Sequence, residues 1–161
     1  MPTRSPKKPA ESVFADTNLF LRHLTNDVPE QADAVEALLR KAAAGELMLV
    51  SNSMVVAEIV WTLESFYHLP RTEIRDKVVA ILNSPGLEIA DGDLLLQATA
   101  DYVDQNVDFI DAYNRAWAIQ QGVKKVYTFD QRHFSRLAGI TVVVPGEEPE
   151  EEEEKGTDSV H

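Results

Sequence analysis

Cysteine is missing from all 161 residues, so neither a disulfide framework nor a thiolate metal site is available. The four histidines, His23, His68, His133 and His161, are too scattered to suggest a zinc cluster. No stretch approaches the roughly 20 apolar residues of a membrane span, and no apolar run of signal-peptide length follows the first residues. The protein is therefore expected to be soluble and cytoplasmic. A basic excess is missing too. The formal charge is −12, which argues against a protein that coats nucleic acid, since such surfaces normally carry a positive excess. It leaves room for an enzyme that grips a few phosphates with local Arg and Lys and a bound cation. No internal repeat is present.

What is there fits one domain, long enough to bury roughly two thirds of the surface its unfolded chain exposes. The charge is unevenly placed. Residues 147 to 161 hold eight acids against Lys155 and contribute −7, leaving −5 for the other 146 residues. Like-charge blocks of this kind are usually solvated and disordered, and residues 1 to 12 form a short basic lead with three prolines. The expected division is a disordered lead over 1–12, a folded domain over 13–146 and a disordered acidic tail over 147–161.

Within the domain, apolar runs of strand length alternate with helical periodicity. Val13-Phe14-Ala15 reads as a buried strand that ends on Asp16 and passes at once into a short helix over Leu19 to Leu24. Pro29 opens a second helix with Ala32, Val35, Leu38, Leu39 and Ala42 on one face, and Gly45 closes it. Leu47 to Val50 reads as a strand, Ser51-Asn52-Ser53 supplies cap candidates, and a long helix is expected over Met54 to Tyr67. Pro70 begins another helix, which Pro85-Gly86 ends, and Leu87 to Ile89 is a short strand. Asp91 or Asp93 caps a helix through Val103. A further helix runs from Asp108 to Gly122 with Phe109, Ala112, Ala116 and Ile119 as its buried stripe. Lys125 to Phe129 and Ile140 to Val144 read as strands around a short helix from Gln131 to Leu137. Such alternation predicts an α/β fold: a three-layer sandwich with a central, mainly parallel sheet of about four or five strands flanked by helices.

Chemistry is concentrated in isolated acids. Asp16 ends the first strand, at the sheet edge where open α/β folds bind ligands. Glu58 is the one charge in Val55 to Trp61 and has no Lys or Arg three or four places away. Asp108 and Asp111, spaced i, i+3, share a face of a helix start, and Asp130 follows the strand ending at Phe129. Taken singly, Asp16, Asp108 and Asp130 read as helix caps and Asp111 as a favourable first-turn charge, while a salt bridge to another helix would account for Glu58. Taken jointly, Asp16, Glu58, Asp111 and Asp130 fall on one side of the sheet, where uncompensated carboxylates repel by several kcal/mol for close pairs. A divalent cation resolves that conflict, and all-oxygen ligation points to Mg²⁺ or Mn²⁺.

The segments Val13-Phe14-Ala15-Asp16-Thr17-Asn18, Val56-Ala57-Glu58, Asp108-Phe109-Ile110-Asp111-Ala112 and Tyr127-Thr128-Phe129-Asp130 together resemble the PIN-domain nucleases, closely the VapC-type toxins of bacterial toxin-antitoxin pairs. The resemblance runs from about residue 13 to residue 145. It implies a metal-dependent endoribonuclease in which Asp16, Glu58, Asp111 and Asp130 ligate Mg²⁺ or Mn²⁺, with Asp108 as the alternative to Asp111. Asn18 and Thr128 match polar positions that support the site. Hydrolysis by a metal-activated water is implied, as are a cognate antitoxin protein and a homodimer. An antitoxin helix would then lie near Trp61, Phe66 and Tyr67, although an aromatic stripe at that spacing is more often core. Arg22, Arg115, Arg132 and Lys124 or Lys125 are candidates for steering RNA, against the plainer reading of ordinary surface charges.

Two other readings compete. Phosphotransfer at an aspartate, as in haloacid-dehalogenase-like domains, needs a second Asp where this chain has Asn18; a response-regulator-like site needs an acidic pair on the first strand and a lysine closing the fifth, and neither is evident. A PIN-like RNA- or protein-binding module without catalysis would be favoured by a missing carboxylate, and all four are present.

Overall fold

Five short strands and six α-helices follow one another through residues 10–147, the part of the chain that the computed structural model describes. Residues 1–9 of the expected lead and 148–161 of the expected tail lie outside the described residues, while Glu11 and Ser12, expected in the lead, belong to the first strand. Strand β1 (Glu11–Phe14) leads into helices α1 (Thr17–Thr25) and α2 (Pro29–Ala43), and β2 (Leu47–Ser51) into α3 (Ser53–Ser65) and α4 (Arg71–Leu82). Then come β3 (Leu87–Ile89), α5 (Gly92–Asp104), α6 (Phe109–Gln120), β4 (Lys125–Tyr127), a single 3₁₀ turn (Phe134–Arg136) and β5 (Thr141–Val143).

All strand pairing is parallel, as helical crossovers require. β2 lies between β1 and β3, with Glu11 opposite Leu47, Phe14 opposite Val50, Leu49 opposite Leu87 and Ser51 opposite Ile89. β4 and β5 form a separate pair, Lys125 opposite Thr141 and Tyr127 opposite Val143. The α/β class and parallel order are those the sequence implies. The five strands divide into three and two, and β1 is consequently an edge strand. That position explains why a strand expected to be buried is solvent-facing, with Phe14 56% exposed.

Local chemistry sets the helix starts. Pro29 supplies a fixed φ at the first turn of α2, and the Asn52 side chain accepts a hydrogen bond from the Val55 N–H at 3.1 Å to cap α3. At α5 the preceding Asp91 is left-handed, with φ 61°, and makes no side-chain cap; its carboxylate instead accepts from the Tyr113 hydroxyl at 3.4 Å. Gly86, at φ 75°, begins the approach to β3 so close to α2 that a Cβ there would collide with the Ala42 carbonyl.

The core lies between β2 and the helices. Leu49, Val56, Ile59, Leu63, Ile74, Leu95 and Val107 are sealed from solvent, and each large side chain of this kind stabilises the fold by about 1.5–3 kcal/mol relative to exposure. Tyr102 is buried among them. Its ring sits edge-on to Phe109 and under the Arg71 guanidinium, 4.2 Å from the ring centre, and its hydroxyl donates to Glu64 at 3.1 Å. Burial and the Glu64 charge hold that phenol above its usual range. On α6 the expected stripe of Phe109, Ala112 and Ala116 is buried, but Ile119 is exposed and Ala118 packs in its place. No helix among the described residues is long and apolar enough to cross a membrane.

Candidate active site

The carboxyl ends of β1 and β2 bring the first two acids together. Ala15 extends β1 by donating its N–H to Val50 at 2.9 Å, and the Ser51 hydroxyl donates to the Ala15 carbonyl at 3.0 Å, which fixes the chain just before Asp16. Asp16 adopts an extended backbone and its carboxylate accepts the Thr17 N–H at 2.7 Å. The capping geometry is thus present. Thr17, only 2% exposed, then turns its hydroxyl to Glu58 and donates to Oε2 at 3.1 Å. Glu58 is exposed on α3, and this hydroxyl supplies the partner that no local Lys or Arg offers. Thr17 therefore couples the Asp16 turn to Glu58, a role the sequence reading missed. Its signal was a hydroxyl residue directly after the acid at the head of a helix.

The start of α6 and the end of β4 form a second acidic group. The Asp108 carboxylate caps α6 through the Ile110 N–H at 3.2 Å, while the Asp108 N–H donates to Nδ1 of His133 at 3.1 Å. Asp111 stands one turn on, half-buried, and its carboxyl is pushed up from the ordinary 3.8. Burial is the largest cause, followed by the Asp108 charge; His133 opposes the shift and Asp130 adds to it. A charge in the first turn of a helix would normally be favoured by the dipole, so here desolvation and like-charge neighbours outweigh it. Asp130 is placed by Thr128, whose hydroxyl accepts the Asp130 N–H at 3.0 Å and donates to the Asp130 carbonyl at 3.2 Å. The Asp130 carboxylate accepts the Arg132 N–H at 3.0 Å.

The four expected acids thus stand as Asp16 with Glu58, and Asp111 with Asp130 and Asp108. The helices that carry them pack together, and a small cavity is lined by Ala57, Trp61, Glu64, Asp108 and Ile110. Among the described residues no three acids or histidines come within reach of a single metal ion. The donor set nevertheless suits a hard divalent cation: it is all carboxylate oxygen, and Asp111 sits in a field short of positive charge. Asn18 turns elsewhere, lining a shallow cavity with Arg22 and Gln31.

The cationic candidates separate clearly. Arg22 pairs with Asp27 at 2.9 Å and donates to Gln31 at 2.8 Å. Arg115 points inward, bonding the Ala138 carbonyl at 2.8 and 2.7 Å and Asp101 at 3.4 Å. The side chains of Arg132, Lys124 and Lys125 make no hydrogen bond or ion pair with any described residue. The aromatic stripe is not core at two of its three positions: Trp61 is 65% and Phe66 70% exposed. Tyr67 is half-buried, and its hydroxyl donates to Asp27 at 2.7 Å, the largest influence holding that carboxyl below its usual value.

Comparison with known proteins places this arrangement in a class. The PIN domain family model matches residues 13–140, and the chain belongs to that family. Among curated proteins it is similar to a VapC ribonuclease of Aquifex aeolicus (strain VF5), 28% identical over 134 residues that span 83% of this chain and 96% of that protein.

Proposed function

We propose that the protein is a Mg²⁺- or Mn²⁺-dependent endoribonuclease, the toxin of a toxin-antitoxin pair acting in the cytoplasm. The observation that carries this reading is Asp111, a half-buried carboxyl raised by burial and by acidic neighbours from two elements, within a PIN-family chain. Asp16, Glu58, Asp111 and Asp130 would hold the cation, with Asp108 beside them. When bound, it supplies Lewis acidity toward the phosphate and an activated water. The chain's own residues do the rest. Thr17 holds Glu58 toward the Asp16 turn, and Thr128 sets the Asp130 turn. Asp111 takes up a proton more readily than an ordinary aspartate, and Arg132, Lys124 and Lys125 are free to meet RNA phosphates.

We infer from the resemblance to VapC-type toxins that the chain also takes an antitoxin protein and pairs as a homodimer. The exposed Trp61 and Phe66 are the surface an antitoxin helix would cover. The separation of the acids into two groups favours a second reading, a PIN-like module that binds RNA or protein without cleaving. Incubation of the purified protein with total RNA, with Mg²⁺ and with excess EDTA, distinguishes the two. Cleavage that needs Mg²⁺ and stops in EDTA is expected; RNA retention without cleavage in any divalent metal would establish the binding module.

A further inference from the structure

The crossover between β4 and β5 is fastened to α6 and the loop before it at three points. His133 Nδ1 accepts the Asp108 N–H at 3.1 Å, Arg136 donates to the Asn106 carbonyl at 2.7 Å, and Arg115 holds the Ala138 carbonyl. Beneath them Phe134 and Leu137 are buried in the core. Asp130 makes hydrogen bonds only inside its own turn, to Thr128 and Arg132, among the described residues. Its place is set on one side by β4, where the Thr128 N–H donates to the Val143 carbonyl at 3.0 Å, and on the other by what joins this crossover to α6. Of the three fasteners His133 is nearest in the chain to Asp130, and its bond reaches the same turn of α6 that carries Asp108 and Asp111.

We propose that His133 is a positioning residue of the nuclease site: its imidazole ties the Asp108–Asp111 turn to the Asp130 turn and so sets the spacing between carboxylates contributed by two separate elements. The inference rests on the ribonuclease reading above. The bond is well suited to the task because it uses a backbone N–H and draws on no carboxylate oxygen of Asp111 or Asp130, the latter engaged only by the Arg132 N–H among the described residues. Since Nδ1 accepts, the proton of the neutral ring lies on Nε2. Groups that orient the acids of a metal site from behind typically matter by about 10- to 100-fold in activity or metal affinity.

The test compares the full chain with His133→Leu, which removes the acceptor, and His133→Asn, whose side-chain oxygen takes the place of Nδ1. Three quantities are read: kcat and KM for RNA cleavage in Mg²⁺, the NMR shift of the Asp108 amide proton, and the melting midpoint with and without Mn²⁺. His133→Leu should lower kcat by about 10- to 100-fold with KM nearly unchanged, move the Asp108 amide upfield and leave the metal-free midpoint within a few degrees. His133→Asn should restore most of both kcat and the amide shift. A Leu variant with wild-type kcat, or an Asn variant that regains the amide shift without regaining kcat, overturns the proposal. If the wild type cleaves no RNA, it is the ribonuclease reading that fails. The gain in midpoint from Mn²⁺ alone then decides on His133, and an equal gain in wild type and the Leu variant rules it out as the residue that spaces the acids.

Discussion

Replacing Asp111 by Asn sets the helix-start account of this acid against the metal account. A carboxylate in the first turn of α6 gains about 0.3–1 kcal/mol from the dipole, and were that its whole role, Asn would weaken the fold by that amount with or without metal. The raised carboxyl says otherwise: burial and Asp108 together make the charged form unwelcome. At pH 7 the metal-free Asn variant should melt at or above the wild-type midpoint. The pH dependence has a definite sign. Because the folded protein holds the Asp111 proton more tightly than the unfolded chain, the contribution of this group is greatest below the ordinary value of 3.8 and is lost as pH rises through the raised folded value. The advantage of the variant should therefore grow across that window and level off above it. Metal reverses the comparison. At a Mg²⁺ concentration 100 times Kd the wild type gains about 2.7 kcal/mol, near 10 °C for a domain of this size. A site weakened tenfold by the missing ligand gains about 1.4 kcal/mol, about half the shift. Thermal melts of both proteins across a Mg²⁺ titration measure this. A variant that is less stable than wild type without metal, yet gains as much from Mg²⁺, would refute the reasoning and transfer the role to Asp108.

Three further outcomes are expected. Glu58→Gln keeps the acceptor for the Thr17 hydroxyl and nearly the same shape, so the circular dichroism spectrum and midpoint should be unchanged while RNA cleavage is lost; wild-type cleavage would make Glu58 an ordinary helix residue. Arg115→Met strands Asp101, which is 9% exposed and among the described residues then keeps only the Gln97 amide as a side-chain partner, at 3.2 Å, and frees the Ala138 carbonyl. Urea unfolding should show a loss of about 2–3 kcal/mol, somewhat below that for a wholly buried pair, and a loss under about 0.5 kcal/mol, the usual range for surface changes, would class Arg115 with them. Removing residues 148 to 161 should leave the melting midpoint almost unchanged, since an acidic run buries little apolar surface; a fall of many degrees would show that the segment docks on the domain.

Most of the architecture was legible because local signals agreed with the fold. Pro29, Asn52, Pro70 and Asp108 mark helix starts, and the apolar faces of α2, α4 and α5 run at helical spacing into the core. What was not legible depended on neighbours distant in sequence. Val13 and Phe14 look like a buried strand, but whether a strand is central or at an edge is a property of the sheet. Ile119 continues a helical stripe, but in the last turn of α6 it is the neighbouring Ala118 that is buried. Trp61 and Phe66 are apolar enough for a core that α3 fills instead with Val56, Ile59, Val60 and Leu63. At the site, the acids were visible as isolated charges in apolar surroundings. Thr17, His133 and the inward turn of Arg115 were not, because each is defined by a partner: Glu58 is 41 positions from Thr17, Asp108 is 25 from His133, and Ala138 is 23 from Arg115.

The central claim is that carboxylates of this chain hold a cation that makes water the nucleophile toward an RNA phosphodiester. It is tested most directly by a single-turnover cleavage of a short single-stranded RNA in H₂¹⁸O, with Mg²⁺ and with excess chelator, the products being weighed by mass spectrometry. The account predicts one ¹⁸O atom in the new terminal phosphate, no 2′,3′-cyclic phosphate at any time, and no product in the chelator arm. A cyclic phosphate free of ¹⁸O, formed equally with and without chelator, would mean that the ribose 2′-hydroxyl attacks without metal and would contradict the account.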